Sequence, residues 1–555
     1  MGAGVASAAT RRVPAATGLA CCLALGGLLA GGATGPVQAQ VLPQVGAPVQ
    51  LGDLRRTFER AYERQPLISE RAWTIMPAID VEVSFTDNVR GLGTTQGLGT
   101  TLGVAGGSGW DVFTTVTPSI SVQGSTSRLQ GSLFYGPQLR VFANSSRSNT
   151  LAHNLSANGR ATILEDLLYL NAQAFATDQS RAGGLGTGAA GNLARQDRVQ
   201  TTSFSIGPLL QFRLADYGTV EAGYNFGYLN RTGLGVTQNT PFAPALANEP
   251  TITNSAHLAF TSGQEFGRVL FGATLRRINY DGSGVLENAH RQSEVAEVGY
   301  AVTRMITVLG EIGHQDIRYG GVTPVRINGL LWSAGMRWLP DPDTTITVRY
   351  GRRDGGNSFS FDGTTAPTPR TRISARYSEG VSSGAEELQG ALLGADFDSF
   401  GAAVDRQTGI PLVLTDNFAG TQGGVSRVRR FSATGALLQN MDSYSLTLQH
   451  NERNTLTSNV AGAPTSVTYT TATAGWQREL GPGLRGNLQA SYGSRRSGGT
   501  LAVTQDTLTF SAGVNYAISE TWSTRASYTY SRSTTNRPGF GYDMNLLTVG
   551  MRKTF

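Results

Sequence analysis

Leu547-Thr548-Val549-Gly550-Met551-Arg552-Lys553-Thr554-Phe555 closes the chain as an alternating segment that stops on an aromatic. Successive side chains of an extended strand point to opposite faces. Leu547, Val549, Met551 and Phe555 therefore share one face, with Lys553 near its end, and Thr548, Gly550, Arg552 and Thr554 share the other. A soluble domain has no need for a two-faced strand ending in a terminal Phe. A barrel whose last strand closes against its first and meets lipid on one side does. The pattern of Val549, Gly550, Met551 and Phe555 looks like the signal by which the barrel-assembly machinery recognises its clients. That machinery and outer-membrane lipid are the expected partners.

The other end agrees. Arg11 and Arg12 precede an apolar run from Leu19 to Ala30, and Val37-Gln38-Ala39 supplies small residues before Gln40. Positive charge, a short apolar core and a small-residue exit read as a secretory signal peptide over residues 1–39. The run is roughly a dozen residues and Gly-interrupted, whereas a spanning helix needs about 20. Leu19-Ala20-Cys21 would offer a lipoprotein site at Cys22, but cysteine at the preceding position fits that signal poorly. Cys21 and Cys22 are the only cysteines, so the mature chain has no disulfide, thiolate metal site or Cys nucleophile.

Mean hydropathy is mildly polar, as expected of a barrel in which only alternate residues face lipid. The balance of 45 basic against 39 acidic residues rests on scattered arginines, with Lys553 the single lysine. Because these arginines have acidic neighbours, the bias reads as codon composition rather than nucleic-acid binding. Period-two alternation recurs from Trp73 onward. Leu508, Phe510, Ala512, Val514 and Tyr516 oppose Thr507, Thr509, Ser511, Gly513 and Asn515. Val220, Ala222, Tyr224, Phe226 and Tyr228 oppose Glu221, Gly223, Asn225 and Gly227. Aromatics such as Trp338 and Trp522 gather near strand ends, as membrane-interface girdles do.

Tight turns at Leu164-Glu165-Asp166, Ala215-Asp216-Tyr217-Gly218, Pro340-Asp341-Pro342-Asp343 and Gly481-Pro482-Gly483 alternate with longer Gly- and Asn-rich connections. The expected fold is all-β: an antiparallel transmembrane β-barrel of about 22 strands, in a range of 18–22. Its turns are short on the periplasmic side and its loops long outside. The barrel spans 73–555, behind a periplasmic segment at 40–72. Within that segment Leu51, Leu54, Phe58, Ala61 and Tyr62 mark a short amphipathic helix over Leu51 to Gln65. The connection 380–424 contains the helix-like run Ala385 to Leu393 and is long enough to fold inward as a lumen constriction. There Glu386, Glu387, Asp396 and Asp398 would meet arginines of the preceding strand, and Leu388, Leu392, Leu393, Phe397 and Phe400 would pack on the wall.

Several stretches resemble the outer-membrane proteins associated with PEP-CTERM/exosortase systems, a family of barrel porins. Pro77-Ala78-Ile79-Asp80-Val81-Glu82-Val83-Ser84-Phe85-Thr86-Asp87-Asn88-Val89 resembles the family's opening strand. Glu165 to Ala174, Phe212 to Gly218 and Pro369 to Glu379 are similar in style. The resemblance implies an envelope role near exopolysaccharide production and protein sorting, and it brings no catalytic residues.

Enzymatic chemistry finds little support. His153 and Ser156 are three apart in a strand and point to opposite faces, so they do not form a nucleophile–base pair. His257, His290, His314 and His450 are isolated from one another in sequence. No catalytic, cofactor or metal site is expected. The inward register offers candidate lumen charges instead: Asp80 and Glu82; Arg349 and Arg353; Arg370, Arg372 and Arg376; Arg427 and Arg429. Such charges either pair across a wet interior or focus potential on an anionic solute. The leading expectation is a non-enzymatic outer-membrane barrel of a Gram-negative envelope, engaged in exopolysaccharide or surface-protein export, with envelope polysaccharide or its export components as partners. A general diffusion or uptake porin is the alternative, and a barrel enzyme stands behind both.

Overall fold

The computed structural model describes residues 72–89, 109–180, 198–233, 250–397, 403–405, 424–458, 465–499, 502–536 and 541–555. The signal-peptide segment, the stretch Leu51 to Gln65, Asp398 and Phe400 lie outside the described residues.

Twenty-four strands, one α-helix and three single-turn 3-10 helices are found among the described residues. The first strands are β1 (Trp73–Thr86), β2 (Asp111–Ser125), β3 (Leu129–Phe142), β4 (Thr150–Leu164), β5 (Leu168–Ser180), β6 (Arg198–Leu214), β7 (Gly218–Gly233) and β8 (Thr251–Ser262). Next come β9 (Val269–Asp281), β10 (His290–Ala301), β11 (Ile306–Tyr319), β12 (Val325–Trp338), β13 (Thr345–Arg353), β14 (Gly356–Thr368) and β15 (Thr371–Ser383). Helix α1 (Gly384–Leu393) and the short strands β16 (Ala395–Phe397) and β17 (Ala403–Asp405) follow. The remainder are β18 (Gly424–Gln439), β19 (Asp442–Ser458), β20 (Ser466–Gly481), β21 (Leu484–Ser497), β22 (Val503–Ala517), β23 (Trp522–Thr535) and β24 (Tyr542–Thr554).

All strands except β16 and β17 form one 22-stranded antiparallel sheet. Each pairs with its neighbour in sequence, β15 pairs with β18, and β1 pairs with β24 from Ala78↔Thr554 to Thr86↔Leu546. The sheet is therefore a closed barrel. This is the architecture expected from the alternation, and its strand count sits at the top of the expected range.

Closure follows from the two faces. Val81, Val83 and Phe85 of β1 are exposed on the outer surface, as are Leu547, Val549 and Met551 of β24. Inside lie Ser84, Thr86 and, on β22, Thr507 and Thr509, all buried. With no water available in a bilayer core, the backbone groups of every strand must be paired, and a ring without edges does this. On β12 the outward side chains run from Trp338 and Met336 through Trp332 to Leu330, then turn polar at Asn328 and Arg326. That change marks where the apolar belt ends and the strands project beyond it.

One end of the barrel carries tight turns. Asp166, Ala215 and Asn440 adopt positive φ there, at 58°, 46° and 53°. The opposite end carries the longer connections, with one exception. β13 and β14 meet in a two-residue turn at Asp354 (φ 52°) and Gly355 (φ 76°). Positive φ at both positions is the demand of a hairpin turn that follows strand twist, and Asp-Gly satisfies it.

Candidate functional site

Helix α1 enters the barrel mouth at the loop end. Its start is set locally. Ser383 takes an extended conformation, its hydroxyl accepts the Glu386 N–H at 3.3 Å, and the Glu386 carboxylate accepts the Ser383 N–H. This reciprocal pair satisfies donors that a helix start leaves unmade. Ala385, Leu388 and Leu392 recur at a three- and four-residue spacing, on one face of the helix. Leu392 is fully buried and Leu388 nearly so. They pack with Phe175, Leu229, Tyr280, Ile317, Tyr319 and Val425, whose side chains come from β5, β7, β9, β11 and β18. Beyond the helix, Phe397 stacks on Phe175 with centroids 4.9 Å apart and lies 5.5 Å from Phe134 of β3. The segment thus ties the β15–β19 arc of the wall to the β3–β7 arc and narrows the lumen between them.

Two carboxylates fasten it. Glu386 accepts hydrogen bonds from the Tyr319 hydroxyl at 3.0 and 2.9 Å and from the Tyr280 hydroxyl. Glu387 accepts from the Ser382 hydroxyl and pairs with Arg430 of β18 and Arg453 of β19. Close approach is possible on the far side because Gly227 has no side chain: a Cβ there would stand 2.4 Å from the Gln389 amide nitrogen. Thr253 of β8 donates to Gln389 at 3.2 Å.

Beside the helix, the tip of the β13–β14 hairpin is locked into the wall. The buried Asp354 carboxylate accepts the Arg291 guanidinium at 2.8 and 2.9 Å and the Val381 N–H at 2.9 Å. Gln315 accepts the Asp354 N–H at 3.1 Å, and Arg427 donates to the Asp354 carbonyl at 2.8 Å.

Burial alone would push the Glu387 carboxyl up. The guanidinium groups of Arg430 and Arg453, helped by the Ser382 hydroxyl, outweigh it and hold the group below its ordinary value of 4.5. A carboxyl depressed on docking contributes stability that is present above the ordinary value and lost as pH falls through the lowered one. Docking of α1 should therefore be unchanged between neutral pH and pH 5, and weaken only in stronger acid. Protease protection of α1 across a pH series checks this. Release already between neutral pH and pH 5 would assign the fastening to another group, and Glu387→Gln should abolish the acid step.

The charges singled out from the sequence fall into different places. Asp80 and Glu82 face inward and pair with Arg525 of β23. Arg349 bridges Glu297 at 2.5 Å and Glu311 at 3.4 Å, and Arg353 pairs with the same Glu311. Arg376 meets Asp362 at 2.6 Å. Arg372 is inward at the turn end of β15, and Arg370 sits in the turn itself. None of these three reaches Glu386 or Glu387, because the turn end of β15 is the wrong end of the strand. Arg429 corrects the reading of β18. It alternates with the exposed Phe431 and Leu437 on the outward face and pairs with Glu452 and Glu379. Arg427 continues that register as far as Asp354. A one-residue change of register exchanges the faces, so the inward arginine here is Arg430.

Tyr280, Tyr319, Arg291, Asp354, Arg430 and Arg453 were not singled out from the sequence. Only Asp354-Gly355 carried a local signal, as a turn dipeptide. His153 lies on the outer face, bonded to Tyr135, while Ser156 is buried inside. Among the described residues no group of three or more His, Cys, Asp or Glu side chains is placed to hold a metal ion.

Residues 433–555, from within β18 to the end of β24, match the family model described as "Putative beta-barrel porin 2". This part of the chain is porin-like. The match and the closed ring describe an outer-membrane barrel. Solved structures of similar outline include the FrpB iron transporter from Neisseria meningitidis (F3-3 variant), at 11% identity over 88% of this chain and 82% of that one, with a TM-score of 0.49. The ferric-catecholate import receptor Fiu from E. coli K12 is 11% identical over 86% of this chain and 81% of its own, with a TM-score of 0.44. The siderophore receptor PiuA from Acinetobacter baumannii is 8% identical over 86% and 82%, with a TM-score of 0.45. No curated protein matches the sequence.

Proposed function

We propose that this chain is a non-enzymatic outer-membrane conduit, closed at rest by α1, that serves an exopolysaccharide or surface-protein export system of the PEP-CTERM/exosortase kind. One observation carries the conduit reading: a helix fastened to opposite arcs of a wall whose inward register is otherwise largely polar, by contacts that do not belong to the barrel's own hydrogen-bond ladder. A barrel needs no such helix for closure. A regulated opening does, because the helix can leave while the ring stays intact. The export assignment is supported by the resemblance of Pro77 to Val89 and of Glu165 to Ala174 to strands of that family. Outer-membrane lipid against the outward register, and the barrel-assembly machinery against the last strand, are the partners that accompany this reading.

Removing residues 384–397 while keeping β15 and β18 should raise single-channel conductance several-fold in a planar bilayer. Unchanged conductance would sink the constriction. In cells, loss of the gene should lower surface exopolysaccharide while leaving small-solute uptake alone. The reverse result would make the protein a general diffusion or uptake porin.

A further inference from the structure

We infer that the turn-end mouth of the barrel is a docking vestibule for an extended polyanion entering from the periplasmic side. The inference rests on the conduit reading and names the chemical class of what enters. Besides Arg349 and Arg376, whose ion pairs with Glu297, Glu311 and Asp362 are described above, seven inward arginines lie within five residues of the turn end of their strands. They are Arg160 on β4, Arg213 on β6, Arg337 on β12, Arg372 on β15, Arg485 on β21, Arg525 on β23 and Arg552 on β24. Their direction follows from exposed apolar neighbours on the opposite face, such as Phe212, Met336 and Trp338, Ile373, Leu488 and Met551.

Carboxylates answer only part of this ring. Arg485 pairs with Glu479 at 3.6 Å, and Arg525 with Asp80 and Glu82. Arg160 lies over the Tyr169 ring at 4.1 Å, which holds its guanidinium in place without neutralising it. Among the described residues, Arg213, Arg337, Arg372 and Arg552 have no carboxylate within the 4.0 Å of an ion pair. At the loop end the three arginines that fasten α1 and the hairpin tip are each ion-paired, Arg291 to Asp354 and both Arg430 and Arg453 to Glu387. Four guanidinium groups without an ion pair therefore stand together at this mouth, where low-dielectric walls focus their potential on whatever stands in the opening.

Spacing selects the kind of anion. Neighbouring strands lie about 4.8 Å apart. Along the wall, β12 and β15 are then separated by roughly 14 Å and β6 and β12 by roughly 29 Å. A small anion would meet one guanidinium at a time. A chain carrying a negative charge on successive units can meet several together, and the guanidinium fork suits the carboxylate of a uronic acid.

The test uses the full chain purified in detergent, with fluorescently labelled polygalacturonate as the probe and galacturonate monomer and neutral dextran as comparisons. The polymer should bind at low salt, weaken markedly at about 0.15 M salt, and outcompete monomer and dextran by at least tenfold. The combined variant Arg213→Gln, Arg337→Gln, Arg372→Gln should lose about tenfold in affinity, and each single variant a few-fold. Heat-modifiable gel mobility confirms that each variant is a folded barrel. Arg318→Gln, Arg326→Gln and Arg352→Gln, on the outward register at the loop end, should leave affinity unchanged. Equal binding by monomer and polymer, full affinity in the combined variant, or an equal loss from the outward variants would each overturn the inference. Binding is read without current, so a pore that conducts but ignores polygalacturonate overturns this inference alone, and failure of the conductance test leaves it standing.

Discussion

Arginine in place of Phe510 is expected to cost the barrel about 2–4 kcal/mol in a urea titration of protein refolded into bilayers, while arginine in place of Ser511 costs little. Phe510 stands at the middle of β22, opposite Ala490 on one side and Tyr530 on the other. It is exposed on the belt that bears Leu508 and Val514. A guanidinium there must enter hydrocarbon or drag water in with it. Ser511, one residue on, turns into the lumen, where a guanidinium keeps its hydration. The two substitutions share depth and strand, so their difference isolates the face. Equal effects would overturn the inside and outside of the wall.

Replacing Leu388 and Leu392 together by alanine should release α1 without opening the ring. Deletions of this kind cost about 2–5 kcal/mol each when the site cannot collapse, and Leu392 is wholly buried. Lying one turn apart on one face, the two share partners, so their effects will not simply add. The carboxylates would remain, but Tyr280 and Tyr319 hold Glu386 only while the helix lies against them. Cleavage of 384–397 by a protease of broad specificity and a rise in conductance should appear together. Retained protection would mean that the Glu386 and Glu387 contacts alone hold the helix.

The wall was legible in the sequence because each strand carries its own instruction. On β22 and β7 the alternation of apolar with small or polar residues names both faces without reference to any other part of the chain. The lumen was less legible, and the reason is physical. Alternation says which side of the wall a residue takes once a register is fixed, but not whom it meets. Arg429 and Arg430 are adjacent, and only Phe431 and Leu437 decide between them. Asp354-Gly355 announces a turn, yet the burial of Asp354 depends on Arg291, 63 residues away. Tyr280 and Tyr319 are ordinary strand-end tyrosines until Glu386, 106 and 67 residues distant, arrives between them.

The seam between β1 and β24 carries a consequence for how the chain is made. Ser84 and Thr548 share a hydrogen bond at 2.9 Å across 464 residues of sequence. For a disordered chain, closing a loop of that length costs about 3 kcal/mol more than closing a ten-residue hairpin. No pair along the seam can form before the final strand has been synthesised. Until then β1 presents an open edge, ready to pair with any other strand, its own or a neighbour's. The neighbouring hairpins can zip one after another, so closure of the ring is the slow step and the moment of greatest aggregation risk. A nascent chain of this design has to be held apart from its copies until its two ends meet.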